Sequence, residues 1–488
     1  MKHPHLFEIS AWPWLERLSR RENRVVTLAD VPARDWDGIA ARGFTHVFLM
    51  GVWERSPLGR EIALADAALR HEYDEALPGW TPEDVAGSPY CVNAYEPDPR
   101  MGGWDGLDHA HAELNRREIG LVLDFVPNHT AFDHRWTAEH PRRYVLGTEE
   151  DLQRAPADFR RVGDAIVACG RDPYFPPWRD VAQLNYFNPE TRRAMAAELR
   201  AIAAHCDGLR CDMAMLVLNE VFERTWRGVL RDAWPAPAQE FWPPIIRENP
   251  ELLFLAEVYW NLEWTLQQQG FHFTYDKRLL DRLQGSTPED VRGHLHADAG
   301  FSERLVRFLE NHDEPRSALT LASHLPAAAA LFGSLPGMRF YFDGQLEGRK
   351  LRTPVQLARW AGEPADAAIA MMYDRLLATT AQPLFHEGGW KLLETSSAGD
   401  SSFGDLIAFR WRHGGQLAVV VANLGGGVAT GHVPVVGDLP PGDAFDFKDG
   451  LSGASYRWTR RSLDVRGLFV RLARGQAHLF TVTSTSGA

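Results

Sequence analysis

Three carboxylic acids in the chain each follow a short apolar segment. Asp212 comes after GLRC, Glu257 after LLFLA and Asp313 after LVRFLENH. One carboxylate can act as a nucleophile while a second, protonated carboxyl gives a proton to a leaving group. An isolated Asp after a strand is usually a helix cap, but several buried like charges are costly without a function. The pattern therefore predicts a catalytic site at the ends of strands.

Basic side chains accompany these carboxylates. Arg210 lies two residues before Asp212, so the two side chains point to the same face of a strand. This cation is expected to keep Asp212 ionised, whereas the apolar segment before Glu257 favours a protonated acid. His129 and His312 also follow apolar segments. A carboxylate nucleophile about 5 Å from a carboxylic acid is the arrangement with which retaining glycosidases cleave glycosidic bonds.

The segments that carry these residues belong to a regular alternation. Apolar, strand-like segments alternate with Ala- and Leu-rich stretches, of which 108–117 and 191–204 are two. Such an alternation predicts a parallel sheet, and eight units predict a closed (β/α)8 barrel of the TIM type, with functional groups at the carboxyl ends of its strands. The predicted strands are 6–10, 46–52, 121–126, 208–212, 252–257, 271–275, 306–310 and 338–342.

Two regions depart from this alternation. Residues 130–189 are aromatic, rich in Pro and without a helical period, which is typical of a functional insertion. Residues 384–488 contain strand-like segments separated by Gly-rich turns, which predict an antiparallel β-sandwich. The predicted fold class is α/β, with a (β/α)8 barrel of residues 1–129 and 190–383, a domain inserted after the third strand, and the C-terminal sandwich.

The composition excludes several kinds of partner. Of 488 residues, 52 are Lys or Arg and 65 are Asp or Glu, which gives a net charge of −13. This balance argues against binding to nucleic acids and to anionic membranes. The chain has no window of about 18 apolar residues and its start lacks an apolar signal segment, so we expect a cytoplasmic protein. The oligomeric state is left open.

Four motifs at the predicted strand ends resemble those of a known family. DFVPNH, GLRCDMAM, FLAEVYW and FLENHDEPR are similar, in order and position, to the signature regions of the α-amylase family, glycoside hydrolase family 13. QLNYFNPE, at 183–190, resembles a further signature of that family. The resemblance implies that Asp212 is the nucleophile, that Glu257 is the acid/base, and that Asp313 holds the sugar hydroxyls. It implies an α-glucoside or α-glucan as the substrate, and no cofactor.

The same resemblance implies a set of substrate-binding side chains. Tyr90 would stack on the sugar next to the cleaved bond, and His129 and His312 would bind that sugar. Arg210 is similar to the arginine that precedes the nucleophile in this family. Arg316, at the end of FLENHDEPR, is also predicted to bind substrate.

Two departures from the family pattern concern metal binding and substrate size. Gln183 replaces an Asp that can ligate calcium in relatives. Asn128 stays available as a calcium ligand, but calcium prefers several oxygens and carboxylate charge, so we expect no metal. Met215 and Leu216 replace a Lys–His pair that contacts sugars on the leaving side in many amylases, which predicts weak binding of long chains there.

Aromatic residues of the insertion also bear on substrate size. Tyr174, Phe175 and Trp178 could either wall the mouth of the barrel or form a small core of their own. The sequence therefore predicts a retaining glycoside hydrolase for short α-glucans or oligosaccharides.

Two alternatives to this hydrolase stay open. One is a transglycosylase, isomerase or phosphorylase of the same family, similar to trehalose synthase or sucrose phosphorylase. These enzymes use the same carboxylates and differ in whether water, sugar or phosphate reaches the intermediate. The other is a carbohydrate-binding relative without catalysis. Such a relative would be expected to lack one of the three carboxylates, and this chain has all three.

Overall fold

The computed structural model describes residues 2–230 and 234–485, and within them eight parallel strands close into a barrel. Each barrel strand pairs with the next one along the chain, and the eighth pairs with the first. All eight predicted strand segments overlap these strands, so the predicted (β/α)8 barrel is confirmed. From first to eighth, the barrel strands are His5–Ser10, His46–Met50, Gly120–Phe125, Gly208–Cys211, Leu253–Ala256, Phe273–Tyr275, Leu305–Arg307 and Met338–Phe342.

Inward and outward side chains alternate along the barrel strands, as the period of two requires. One set forms a compact apolar cluster inside the barrel, and the other joins a larger core between strands and helices. Asp124 lies two residues beyond inward Val122 and stands opposite Arg210 of the fourth strand. Polar groups therefore replace apolar ones at the carboxyl end of the barrel. The inward cluster includes Leu6, Phe48, Val122, Leu255, Val306, Met338 and Phe340.

Helices follow the barrel strands and cover the outside of the barrel. The predicted helical segments 108–117 and 191–204 overlap Gly103–Asn115 and Pro189–Ala203. The second of these begins at Asn188, whose side chain accepts a hydrogen bond from the Glu190 amide at 2.8 Å, as helix N-caps do. The barrel region contains helices Ala11–Glu22, Ala33–Ala41, Pro57–Ala65, Ala67–Ala76, Gly103–Asn115, Pro189–Ala203, Asn219–Trp226, Trp242–Glu248, Glu263–Gln268, Lys277–Gly285, Pro288–Leu295, Ala299–Ser302, Ser317–Thr320, Leu325–Ser334 and Ala367–Thr380, with 3-10 turns Pro82–Asp84, Pro99–Met101 and Ala214–Val217.

Two smaller sheets rise from the carboxyl end of the barrel. Strands Trp53–Arg55 and Val92–Pro97 form an antiparallel ribbon after the second barrel strand. The region 130–189, in which the sequence showed no regular period, contains an antiparallel sheet. Its strands are His129–Ala131, Phe159–Val162, Ala165–Gly170 and Trp178–Gln183, with helices Arg135–Glu139 and Glu149–Arg154 and the 3-10 turn Pro141–Arg143.

The C-terminal region is antiparallel, which confirms that part of the predicted fold class. Helix Pro383–Glu387 leads into two sheets that pack on a shared apolar core. No helix in the described parts of the chain is both long enough and apolar enough to cross a membrane. One sheet contains Gly389–Leu393, Leu406–His413, Gln416–Asn423, Ala444–Asp449, Ser455–Thr459 and Ala477–Thr485, and the other contains Ser396–Ser397, Ala429–Val433 and Leu468–Leu472. Helix Arg460–Arg466 and 3-10 turns Ser402–Asp405 and Val436–Asp438 connect them.

Candidate active site

The carboxyl ends of the barrel strands surround an open cavity of about 390 Å³. Asp212, Glu257 and Asp313 all line it, together with Tyr90 and His129. The structure therefore brings together five side chains that the sequence analysis predicted for the site. The remaining lining residues are Leu69, Glu72, Ser88, Trp178, Asp180, Val181, Met213, Arg352, Pro354, Val355 and Gln356.

Arg210 is the central cation of this site. Its Nη1 lies 2.8 Å from Oδ1 of Asp212, and its Nη2 lies 2.8 Å from Oε2 of Glu257. Nη1 also lies 3.2 Å from Oδ1 of Asp124, the residue opposite Arg210 in the barrel sheet. The Arg210 side chain is 1% exposed. One buried guanidinium thus holds three carboxyl groups and places Asp212 and Glu257 side by side.

The Glu257 carboxyl is fixed from two further directions. The Tyr259 hydroxyl donates to Oε1 at 2.9 Å, and the backbone amide of Met213 donates to Oε2 at 2.8 Å. Met213 has a φ of 40°, in the left-handed region that non-glycine residues rarely adopt. This strained turn directly after Asp212 aims the amide at Glu257 and links the ends of the fourth and fifth barrel strands.

Burial dominates the electrostatics of Asp212. It raises the pKa of Asp212 to about 8, although Arg210 works in the opposite direction. Burial also raises the pKa of Asp124 to about 7. Arg210 thus favours the ionised form of Asp212, as the sequence predicts, but burial outweighs this effect in the structure. The cluster retains a proton at neutral pH, which general acid catalysis requires.

A second cluster joins the first barrel strand to the end of the seventh. His312 Nδ1 lies 2.5 Å from Oε1 of buried Glu8, and His312 Nε2 lies 2.7 Å from the Tyr90 hydroxyl and 3.0 Å from Oδ2 of Asp313. Burial works to lower the pKa of His312, but Asp313 and Glu8 raise it well above its usual value. Enclosure works to raise the pKa of Asp313, but His312 lowers it to about 2. At neutral pH, the site thus presents an imidazolium beside an ionised carboxylate.

His129 has the opposite character. Its Nε2 lies 3.2 Å from the Tyr90 carbonyl oxygen, and its ring centroid is 5.4 Å from that of Trp178. Burial lowers the pKa of His129 to about 4, so the ring is neutral at pH 7. The two predicted site histidines therefore differ in charge: His129 is neutral and His312 is positive.

Arg316 is not among the described residues that line the cavity. Its Nη1 donates to Oε1 of Glu310 at 2.7 Å and to the Asp343 carbonyl at 2.9 Å. The guanidinium also lies over the Phe342 ring, 4.3 Å from its centroid. Arg316 holds the segment after the seventh barrel strand in place. Direct substrate binding by Arg316 stays a prediction that this position does not support.

The residues chosen from sequence to explain substrate size fall into two groups. Met215 and Leu216 are buried in the 3-10 turn Ala214–Val217, so they belong to the core and do not wall the described cavity. Trp178 does line the cavity, whereas Tyr174 and Phe175 are exposed. The Tyr174 ring packs edge-on against Trp260, with centroids 4.9 Å apart. The predicted apolar leaving side is therefore not formed by Met215 and Leu216.

The residues near Asn128 do not fit a calcium site. The Gln183 amide nitrogen donates to Asn128 Oδ1 at 2.9 Å, to the Asn128 carbonyl at 3.0 Å and to the Leu184 carbonyl at 3.1 Å. An amide N–H₂ therefore engages the oxygens that a hard cation would need. Among the residues that the structure describes, no group of three or more His, Cys, Asp or Glu side chains is placed to hold a metal ion.

Sequence reasoning missed several residues of the site. Glu8 and Asp124 each stand as a single carboxylate within a mostly apolar barrel strand. A charged residue in such a strand was the sequence feature that could have marked them as site residues. Tyr259 follows Glu257 by two residues and contacts it. Glu72 and Arg352, which both line the cavity, form an ion pair at 3.6 Å. Glu72 lies in a helix and Arg352 in a loop, and neither segment contains one of the sequence motifs.

The comparisons with curated proteins bear on this site. No protein-family model matches the chain. Alpha-amylase 3 of Dictyoglomus thermophilum is 22% identical over 292 residues, which are 52% of this chain and 53% of that protein. Alpha-amylase MalA of Haloarcula japonica is 26% identical over 246 residues, which are 48% of this chain and 33% of that protein. The matched parts thus span about half or less of the length of these relatives.

A solved structure gives the fold class. Maltogenic α-amylase AmyB of Thermotoga neapolitana superposes on 99% of this chain and 99% of its own, with a TM-score of 0.70 and 18% identity. The fold is therefore the (β/α)8 barrel with an additional C-terminal domain that this amylase also has. Together with the curated relatives, this similarity confirms the predicted resemblance of the chain to the α-amylase family.

Proposed function

We propose that this protein is a retaining glycoside hydrolase that cleaves α-glucosidic bonds in short α-glucans or oligosaccharides. The observation that carries the proposal is the bridge that Arg210 makes between Asp212 and Glu257 at the mouth of the barrel. Two carboxyls that bind the same guanidinium lie near each other, and this supports the close pair of carboxyls that a double displacement needs. The similarity to proteins named α-amylase supports the choice of α-glucosidic bonds.

The reaction has two steps. In the first, an Asp212 oxygen attacks the anomeric carbon while the bond from that carbon to the leaving oxygen breaks, and Glu257 gives its proton to that oxygen. The product is a β-linked glycosyl ester on Asp212. In the second step, Glu257 takes a proton from water, the water oxygen attacks the anomeric carbon, and Asp212 leaves as a carboxylate. Two inversions give an α-configured product.

This reaction requires the proton on Glu257 and the negative charge on Asp212. In the protein alone, burial raises the pKa of Asp212 to about 8 and so favours a proton on Asp212. Both carboxyls share Arg210, so one proton can lie on either without a change in the total charge of the pair. Positive charge that develops on the sugar ring stabilises ionised Asp212 and moves the proton to Glu257.

The remaining polar groups orient the sugar that is attacked. Ionised Asp313 is 47% exposed because it faces the open cavity, and it can accept hydrogen bonds from sugar hydroxyls. Charged His312 lies 3.0 Å from it, and neutral His129 lines the same cavity. Tyr90 presents its ring in the same wall, with its hydroxyl hydrogen-bonded to His312. These positions support the substrate-binding roles that the family resemblance implies.

The rim of the cavity supports short substrates. Glu72 and Arg352 meet at 3.6 Å, and Trp178 stands in the wall formed by the inserted sheet. A cavity of about 390 Å³ with an ion pair across its lining suits a few sugar units better than a polymer.

A second candidate function is transfer of the glycosyl group to a sugar instead of water. The exposed Tyr174 ring packs against Trp260, three residues after Glu257 in the chain. These two rings line a separate cavity of about 160 Å³, where they would hold an acceptor sugar better than they hold water. The first step and its residues would be unchanged, so the two functions differ only in the acceptor.

A product assay tests this proposal. Maltose, maltotriose, sucrose and trehalose are incubated with the protein, with and without phosphate, and the products are separated by chromatography. We expect glucose and maltose from maltotriose, and loss of turnover by several orders of magnitude in Asp212→Asn. Asp446→Asn, which changes an exposed carboxylate of the C-terminal sheet, is the matched control. Longer oligosaccharides would show transfer, and equal activity of Asp212→Asn and wild type would contradict the proposal.

A further inference from the structure

A second open cavity, of about 450 Å³, lies beside the ribbon that follows the second barrel strand. Three arginines line it, namely Arg55, Arg60 and Arg100, together with Trp12 and the exposed Glu83. Among the described residues it shares no lining residue with the candidate active site. Three guanidiniums around one cavity stand out in a chain with a net charge of −13.

Arg55 is the buried member of this group. It is 6% exposed, and its Nη1 donates to the carbonyls of Gly87 at 2.6 Å and Val355 at 3.2 Å. Its Nε is buried without a hydrogen-bond partner, and Arg55 forms no direct ion pair among the described residues, although the Asp98 charge acts on it from a distance. Burial lowers the pKa of Arg55 to about 9, so the side chain is still charged at neutral pH. A buried cation without a direct ion-pair partner is costly, and an anion in the cavity would reduce that cost.

Trp12, which also lines this cavity, has a second buried donor without a partner: among the described residues, its indole Nε1 makes no hydrogen bond. Arg55 and Arg100 both lie over its ring, at 5.5 Å and 4.3 Å from the centroid. The Trp12 ring therefore contacts the guanidiniums of both Arg55 and Arg100, and all three residues line the same cavity.

The other two arginines are held in place but keep free donors. Arg60 donates from Nε to the Val85 carbonyl at 2.7 Å, and Arg100 forms a two-bonded contact with Asp98 through Nε and Nη2. In the part of the chain that the structure describes, Nη1 of Arg60 and Nη1 of Arg100 make no hydrogen bond. The cavity thus offers N–H groups from three fixed guanidiniums.

We propose that this cavity binds a phosphate group, either as inorganic phosphate or as part of a phosphorylated sugar. Guanidinium forks match the oxygens of phosphate and bind them with charge-assisted hydrogen bonds. Buried Arg55, which forms no direct ion pair among the described residues, is the observation that points to an anion. Arg60 adds a second positive charge, and Arg100, whose charge Asp98 balances, adds an Nη1 donor that is free in the described part of the chain. The proposal does not depend on the reaction proposed for the barrel mouth.

The cavity is connected to the candidate active site through Arg55. The two carbonyls that Arg55 holds belong to Gly87, which precedes the Tyr90 segment, and to Val355, which lines the catalytic cavity. A phosphate bound to Arg55 would therefore act on a side chain that ties together two walls of that cavity.

Thermal unfolding with added ligand tests the phosphate site. The melting temperature is measured with rising inorganic phosphate, and separately with glucose 6-phosphate, at an ionic strength held constant with sodium chloride. Isothermal titration calorimetry gives the affinity. We expect a saturable rise in melting temperature in wild type. Arg60→Gln and Arg100→Gln should each weaken binding by about tenfold or more, because each removes charged hydrogen-bond donors.

Controls separate this site from general effects of salt. Arg457→Gln removes an arginine that pairs with Asp446 on the C-terminal sheet, and it should bind phosphate like wild type. Arg55→Lys keeps the charge but loses the fork, and its binding should also weaken. Binding of glucose 6-phosphate without binding of inorganic phosphate would identify a phosphorylated sugar as the ligand class. Absence of a saturable shift with either compound, or an equal shift in Arg60→Gln, Arg100→Gln and Arg457→Gln, would overturn the proposal.

Discussion

Nη1 of Arg210 lies 2.8 Å from Oδ1 of Asp212, and both side chains are buried at the carboxyl end of the fourth barrel strand. This contact positions Asp212, but it does not set the charge of the carboxyl. Burial raises the pKa of Asp212 to about 8, so the protein holds a proton where the proposed nucleophile lies. The site is therefore destabilising at neutral pH, as functional sites often are.

The first prediction follows from that pKa. A carboxyl whose pKa is raised in the folded state contributes stability below its unfolded pKa, and loses it as the pH rises to the folded value. In Asp212→Asn, the side chain at this position is an amide, which stays neutral over this pH range. We therefore expect the variant to be more stable than wild type at pH 8, by on the order of a few kcal/mol, with a difference that shrinks toward pH 4.

Chemical denaturation of both proteins at several pH values measures this difference. Asp446→Asn serves as the control because Asp446 is an exposed partner of Arg457. Its stability relative to wild type should show no such rise between pH 4 and pH 8. A constant difference for Asp212→Asn over the same range would mean that Asp212 ionises normally.

The second prediction concerns the buried contact between Glu8 and His312. The Glu8 carboxylate helps to raise the pKa of His312, so Glu8→Gln should lower that pKa. Nitrogen-15 NMR of the imidazole should show His312 protonated at pH 8 in wild type and titrating at lower pH in Glu8→Gln. His129, whose pKa burial lowers to about 4, is an internal reference that should be unchanged. If His312 titrates identically in both proteins, Glu8 does not raise the pKa of His312 and the prediction is wrong.

The third prediction concerns metal. Because the Gln183 amide donates to the oxygens around Asn128, activity and melting temperature should survive treatment with EDTA. Differential scanning calorimetry and a hydrolysis assay before and after chelation measure both. A marked loss that added calcium restores would show a calcium site and contradict this interpretation of Gln183.

The fourth prediction concerns the ion pair between Glu72 and Arg352. Arg352→Gln should open the rim of the cavity and raise the ratio of kcat/KM for maltoheptaose to that for maltotriose by a few-fold. Arg359→Gln is the matched control, since Arg359 pairs with Asp84 and does not line the described cavity. If the ratio is the same in wild type and Arg352→Gln, the ion pair does not limit substrate length.

The sequence predicted the barrel well because each strand is a short apolar segment with a polar group at its end. Asp212 and Glu257 could be placed at one mouth for the same reason, since the carboxyl ends of parallel strands meet at one edge. His129, a few residues after the third barrel strand, and Tyr90, which only the family resemblance marked, also line the cavity.

Other parts of the site depend on contacts that sequence spacing does not contain. Glu8 and His312 are 304 residues apart and meet only because the barrel closes. Met215 and Leu216 directly follow the site residues, but the 3-10 turn buries them. The depth of burial of Asp212, which decides its charge, is likewise a property of the packed structure. The predicted domain boundaries, the cytoplasmic location and the roles of individual site residues stay predictions.

The stereochemistry of the first product shows most directly whether the reaction retains the anomeric configuration through a covalent bond to Asp212. Proton NMR is recorded within the first minutes of hydrolysis of a short α-glucoside, before the sugar anomers equilibrate. We expect the α-anomer as the initial product, because Asp212 and Glu257 bind the same guanidinium and a retaining site needs its two carboxyls close together. The β-anomer as the initial product would mean a single displacement by water and no covalent bond to Asp212, and would rule out the proposed reaction.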